Sequence, residues 1–176
     1  LHVLDLIENS IRAGATVIAV SVEEEPKQDS LLVSVEDDGP GLHVPGETAV
    51  DPFFTTKEGK KTGLGLSMLK FRAEQAGGWF RMERSSLGGL AVRASMPLSN
   101  VDRSPLGDLA ATLASVVCTN PEIELRSRLR VGGREWAVST ADIARTLPVG
   151  GRGPIAVARR MRERITEGLT ALHVTE

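Results

Sequence analysis

The chain has 176 residues, 41% hydrophobic and 25% charged, with a formal net charge of −2. That length fits one domain, or one domain with a sizeable extension, and the near-neutral balance gives no basic surface for nucleic acid or anionic membrane. No apolar run approaches the roughly 18 residues of a membrane span, and one cysteine, Cys118, excludes an internal disulfide framework and points to a reducing, cytoplasmic setting.

The sequence opens on Leu1 rather than methionine, so the lack of a targeting segment carries no weight. Charge divides unevenly. Residues 1–98 hold 10 Lys+Arg against 14 Asp+Glu, whereas residues 99–176 hold 11 Arg, no Lys and 9 Asp+Glu. All the lysines precede Phe71. This split suggests two units, 1–98 and 105–176, joined by a linker at 99–104.

Val3, Leu4, Ile7 and Ile11 recur at helical spacing, and Gly14 ends that helix. TVIAVSVE (16–23) and LLVSVED (31–37) read as paired strands around the polar turn EEPKQDS. Residues 38–62, rich in Gly, Pro and Thr, read as a loop. Leu64–Gln75 reads as a helix stopped by Gly77-Gly78. WFRMERSS and GLAVRASMPL read as a hairpin across Leu87-Gly88. Helices and strands in this number suit a two-layer α/β unit. Beyond the linker, Ser104-Pro105 is a good helix start, followed by a stripe of Leu106, Leu109, Leu113 and Val116 or Val117. Cys118 closes that apolar run and reads as a buried small hydrophobe rather than a nucleophile. IELRSRLRVGGREWAVST turns at Gly132-Gly133 between two strands. Pro154 opens a last helix with Ala158, Met161, Ile165, Leu169 and Leu172 on one face. Arg159, Arg160, Arg162 and Arg164 form a basic run, which is the solvated face of that helix or a dock for an acidic partner or a second copy.

Four segments carry chemistry. In DLIENSIRAGA (5–15), Asp5 and Asn9 are four apart and share a helix face. The Asn9 carbonyl oxygen suits Mg²⁺ already carrying phosphate and water. A carboxylate one turn earlier can take a proton from an attacking water or hydroxyl. Glu8 points about 100° away from Asn9 and ranks second as base. In DDGPGL (37–42), Asp37 can accept from an adenine amino group, and Gly39 and Gly41 let backbone pass close to a base. In DPFFTTK (51–57), Thr55, Thr56 and Lys57 supply hydroxyls and a cation, while Phe53 and Phe54 read as anchors. In KTGLGLSMLK (61–70), Gly63 and Gly65 precede a helix start, whose N–H groups and dipole favour phosphate. Lys60 and Lys61 add charge. Each segment alone is weak: DDGPG is an ordinary tight turn and a lone G-x-G recurs by chance.

In this order the four segments resemble the nucleotide pocket of the superfamily that includes gyrase, the Hsp90 chaperones, histidine kinases and the MutL repair ATPases. AEQAGGWFRMERSS and GLAVRASMPL resemble the histidine-kinase branch too, so the resemblance covers residues 1–98. It implies a Bergerat-type ATP-binding fold, a two-layer α+β sandwich with helices on one face of a mixed sheet. To this is joined a small α+β C-terminal extension for interaction or dimerisation. It implies ATP and Mg²⁺ as cofactors, Asn9 as the Mg²⁺ ligand, and Asp5 as base. ATP binding falls to Asn9, Arg12, Asp37, Gly39, Gly41, Thr55, Thr56, Lys57, Gly63, Leu64, Gly65 and Leu66. Two departures stand out. Asp5 replaces the usual glutamate and is one methylene shorter. Arg12 is kinase-like where MutL-like members carry an acid. No histidine has the helical-hairpin context of a phospho-acceptor: His2 lies in the nucleotide helix, His43 beside the lid, His173 near the end. The expected activity is ATP hydrolysis or γ-phosphate transfer to a protein. The alternative is a non-catalytic ATP-dependent switch or partner-binding subunit, since the extension also resembles that of small ATP-binding proteins beside hydrogenase or NADH-oxidising subunits. A protein partner or phospho-acceptor and a homodimer are expected; nucleic acid and a membrane span are not.

Overall fold

Alternation of apolar and polar residues sets the central strands. The computed structural model describes residues 3–41, 64–100 and 105–174. Strand β1 (Val17–Glu25) buries Ile18, Val20 and Val22 on one face. It turns through a short 3₁₀ segment, closed by Asp29 at φ 50°, into antiparallel β2 (Ser30–Asp37). Its inward row, Leu31, Val33, Val35 and Asp37, is apolar except at the last place. Strands β3 (Trp79–Arg84) and β4 (Leu90–Met96) form the expected hairpin, with β4 antiparallel to β2. Gly78 precedes β3 because nothing larger fits: an added Cβ would lie 1.8 Å from the Ser95 carbonyl oxygen.

Helix α1 (Val3–Arg12) lays Val3, Leu6 and Ile7 on the apolar face of this sheet. Helix α2 (Leu64–Gln75) buries Leu69 and Ala73 beside it. Gly14 (φ 86°) and Gly77 (φ 81°) end these helices in the left-handed conformation, as C-cap glycines do.

The second half joins the same sheet. Strand β5 (Glu124–Val131) runs parallel to β1, pairing Val17 with Glu124 and Glu24 with Val131, and β6 (Arg134–Ser139) folds back on β5. The six-stranded order is β3-β4-β2-β1-β5-β6, so the sheet is mixed, as expected. The proposed linker at 99–104 therefore separates two stretches of chain that share one sheet; residues 101–104 lie outside those described. Helix α3 (Leu109–Thr119) provides the crossover that a parallel pair requires. It packs against α1 and against the long C-terminal α5 (Pro154–Leu172), whose Ala158, Met161, Ile165 and Leu172 are buried. The core is continuous from Val3 to Leu172.

Three local expectations change. The first tail helix starts at Leu109, not at Ser104-Pro105. Gly107 has φ 73°, which breaks the helical path, and Asp108 caps the helix by accepting from the Ala111 N–H. Cys118 is exposed, because only part of the apolar run faces the core. A short helix α4 (Thr140–Thr146), capped by the Ser139 hydroxyl, follows β6 where the sequence showed no clear periodicity. No helix among the described residues is long and apolar enough to cross a membrane.

The shared core predicts one cooperative unfolding unit. Leu129, 1% exposed, sits at its middle. Leu129→Ala is expected to cost about 2–5 kcal/mol. In urea, Trp79→Phe and Trp136→Phe backgrounds report each half separately. Both should show the same lowered midpoint, and two distinct midpoints would mean independent units.

Candidate functional site

Two elements bring the predicted residues together. Helix α1 crosses the end of β2, and Asn9, Asp37, Gly41 and Leu66 line one cleft with Leu6, Ser10, Ala13 and Leu90. The described walls enclose about 60 Å³, far below the roughly 300 Å³ at which small-molecule sites begin. The described walls alone have room for one edge of a small molecule rather than the whole of it.

Asp37 is 4% exposed and organises this end. Its Oδ2 accepts from the Ser10 hydroxyl at 2.6 Å. Its Oδ1 accepts from the Gly39 and Leu90 N–H groups, each at 3.0 Å. Its own carbonyl accepts from the Gly89 N–H. A Cβ at Gly89 would lie 2.2 Å from Asp37 Oδ1, so only glycine fits there. With three donors in place, Oδ2 still has a lone pair for a further donor in the cleft. Gly41 has φ 77°, which suits glycine. Asp38 turns the other way. Its carboxylate accepts from the Thr16 N–H and hydroxyl and the Val17 N–H, pinning the loop to the start of β1. Burial pushes the Asp38 carboxyl up, but these three bonds outweigh it and hold it below its usual range.

At the other end, Arg12 donates to Asn9 Oδ1. The carbonyl oxygen predicted to face Mg²⁺ therefore already faces a cation. Glu8 is exposed and lies 3.9 Å from Arg12, away from the cleft lining. Asp5 is half-buried one turn before Asn9 and meets the glycine box: a Cβ at Gly65 would lie 2.9 Å from the Asp5 Cβ. The glycine allows α2 to start this close to α1. Leu64 opens α2. Thr55, Thr56, Lys57 and Gly63 lie outside the described residues, as do His2, His43, Phe53, Phe54, Lys60 and Lys61. His173 is exposed and caps α5. Among the described residues no His, Cys, Asp or Glu cluster gathers to hold a metal. A single neutral oxygen donor still fits Mg²⁺, which keeps several waters and takes its other ligands from phosphate.

Sequence reading missed Ser10, Gly89 and Leu90. A hydroxyl next to Asn9 and a Gly-Gly pair before an apolar strand were the available signals. Glu36, beside Asp37, was missed too. It accepts from Arg93 at 2.8 Å and from the Ser85 and Ser86 hydroxyls. Burial pushes the Glu36 carboxyl up, but the Arg93 and Ser86 hydrogen bonds and the Arg93 charge prevail and hold it low. A carboxyl held low in the folded state adds stability above its unfolded pKa, and that stability fades as pH falls through the folded value. Glu36→Gln should therefore flatten the loss of thermal stability below pH 4.5, measured as Tm against pH; an unchanged slope would remove Glu36 from this role.

Residues 2–100 match the family model described as histidine kinase-, DNA gyrase B- and HSP90-like ATPase. Over 100 residues the chain is 33% identical to the sensor histidine kinase CpxA of Escherichia coli, covering 53% of this chain and 21% of that protein. Over 74 residues it is 39% identical to the sensor kinase CckA of Brucella abortus, covering 41% of this chain and 8% of the other. The chain thus spans about a fifth or less of the length of these relatives. Among solved structures, the histidine kinase domain of the E. coli osmosensor EnvZ is 31% identical, with TM-score 0.38, covering 55% of this chain and 62% of that one. The Aquifex aeolicus MutL ATPase domain complexed with ADP is 20% identical, with TM-score 0.40, covering 76% and 59%.

Proposed function

The chain belongs to the histidine kinase-, DNA gyrase B- and HSP90-like ATPases, and from that premise we propose that it binds ATP with Mg²⁺ and either hydrolyses it or passes its γ-phosphate to a protein. One observation carries the reading: Asn9 and Asp37, far apart in sequence, line the same cleft. Asp37 takes the adenine amino group on Oδ2. Its other bonds hold the carboxylate rigid, so little reorganisation is needed on binding. Asn9 holds Mg²⁺, which when bound neutralises phosphate charge, and Arg12 moves from the Asn9 oxygen to a phosphate. Leu64, Gly65 and Leu66 at the start of α2, with Gly63 just before them in sequence, contact phosphate; Thr55, Thr56 and Lys57 add hydroxyls and a cation, and Gly39 and Gly41 lie under the base. Asp5 accepts the proton of the attacking water or hydroxyl.

A second reading is favoured by one feature. Asp5 is shorter than glutamate and packs against Gly65. If it does not reach the reacting phosphate, the same pocket works as an ATP-dependent switch on a protein partner. That partner, a phospho-acceptor, a second copy or a redox subunit, meets the 105–176 extension.

Calorimetry with ATP, with and without Mg²⁺, tests the pocket. Asp37→Asn is expected to weaken ATP about 10-fold or more, the loss of one charged hydrogen bond, and Asn9→Ala to abolish the effect of Mg²⁺. Unchanged affinity in both variants, each with a wild-type melting profile, would sink the assignment. Asp5→Asn should stop turnover while leaving ATP affinity within about 3-fold. Absent wild-type turnover with intact binding selects the switch, and label on protein rather than free phosphate selects the kinase.

A further inference from the structure

The sheet has a second face. Helices α1, α2, α3 and α5 serve the row containing Ile18 and Val35. The opposite row carries Glu36, Ala19 and Arg126 side by side, and next to it Ser34, Ser21 and Arg128. Small side chains therefore form a floor two strands wide, and beyond the arginines of β5 Ala137 on β6 lies beside Arg128. Long side chains rise on both sides. The floor and walls enclose about 470 Å³, within the roughly 300–1,000 Å³ of small-molecule sites. This space is distinct from the Asn9–Asp37 cleft, and its inference does not depend on what that cleft binds.

One buried group on this floor is unsatisfied. Ser34 is 3% exposed, faces the cavity beside Glu36, and its hydroxyl has no hydrogen-bond partner among the described residues. Buried hydroxyls are rarely left so without a ligand or water. The Ser127 hydroxyl is also unpartnered, but it alternates with Arg126 and Arg128 and points to the helical face.

The walls say what would meet Ser34. On one side Glu36 is saturated by Arg93, Ser85 and Ser86. On the other stand Arg126, Arg128 and Arg145. Arg126 holds Glu124 through Nε, and its two Nη nitrogens form the fork that fits a carboxylate. Arg128 lies 3.4 Å from Glu23, and Arg145 pairs with Asp142. All these pairs are solvent-exposed, so rearranging them costs little. Ala19, Ala137 and Leu87 add apolar surface. Glu124 and Asp142 also line the space, but each is already held by an arginine, so the arginine donors left over, with the Ser34 hydroxyl and a little apolar surface, fit an organic anion.

We propose that the face of the sheet opposite α1, α2, α3 and α5, walled on one side by α4, is a second ligand site, taking a small organic carboxylate whose charged end meets Arg126 and Arg128 over the Ser34 hydroxyl and whose apolar body lies on Ala19 and Leu87. Amide NMR on the full chain, titrated with benzoate, benzamide and inorganic phosphate at constant ionic strength, tests it. Benzoate should give saturable shifts at Ala19, Ser34, Arg126 and Arg128, half-complete at or below about 1 mM. Benzamide should give none. Arg126→Gln with Arg128→Gln should weaken benzoate about 10-fold or more. Arg128→Lys alone provides a charge-conserving variant, with a smaller loss expected, should the double variant lose its dispersed spectrum. No saturable shift, an equal response to benzamide, benzoate affinity unchanged in the glutamine pair or in Arg128→Lys, or tighter saturation by phosphate at the same amides would each overturn the proposal.

Discussion

The buried carboxylate of Asp37 is the constraint on which the cleft depends. A carboxylate out of water is costly unless donors surround it. Here the donors come from three places in the chain: Ser10 on α1, Gly39 in the following turn, and Leu90 at the start of β4. Satisfying one side chain therefore fixes the height of α1 over the sheet, the path of the loop leaving β2, and the end of the β3–β4 hairpin. Gly89 follows from the same constraint, since its missing Cβ is the space in which Oδ1 sits. A ligand reaching Asp37 meets an acceptor already aimed, and the entropy of aiming it was spent in folding.

Strand β2 does two tasks because its side chains alternate. Asp37 looks toward the helices and Glu36 toward the open face. Both are tied to the same hairpin turn, Glu36 through Ser85 and Ser86, Asp37 through Gly89 and Leu90. The two faces of the sheet are thus joined by hydrogen bonds across one turn rather than by packing alone. A shift of that turn would change the surroundings of both carboxylates together.

Much of the first half was legible because local pattern and tertiary need agree there. The alternation in 16–23 and 31–37, the helical spacing in α1, and the glycines after each helix all express periodicity that burial later rewards. The candidate site was legible where spacing carried it: Asp5 and Asn9 one turn apart, Asp37 at a strand end. What sequence could not supply were partners brought in by folding. Ser10 and Leu90 have no pattern of their own, and their roles exist only once β4 lies beside β2. Asp38, assigned no role from sequence, ties the loop to Thr16 and Val17. The start of α3 was misplaced for a local reason: Ser-Pro is a good cap, but a left-handed Gly107 and the competing cap Asp108 come after it.

In the tail, local pattern decides where the arginine surplus goes. The uneven charge suggested two units, and the run of Arg159, Arg160, Arg162 and Arg164 read as the solvated face of a helix or a dock for an acidic partner or a second copy. Three other arginines alternate along β5, at Arg126, Arg128 and Arg130, projecting from the face opposite Leu125, Leu129 and Val131. Two of them reach Glu23 on β1. On α5, Arg159 and Arg160 pair with Glu163, Arg162 with Asp108, and Arg164 with Glu167 while stacking on Trp136. Opposite charges across a strand pair or one helical turn add little stability each. Their arrangement instead keeps the positive surplus paired at short range, so the second half joins an acidic first half without exposing a continuous basic surface. What binds the halves is the apolar row beneath, Ile18 beside Leu125 and Val22 beside Leu129, with charge only decorating that seam.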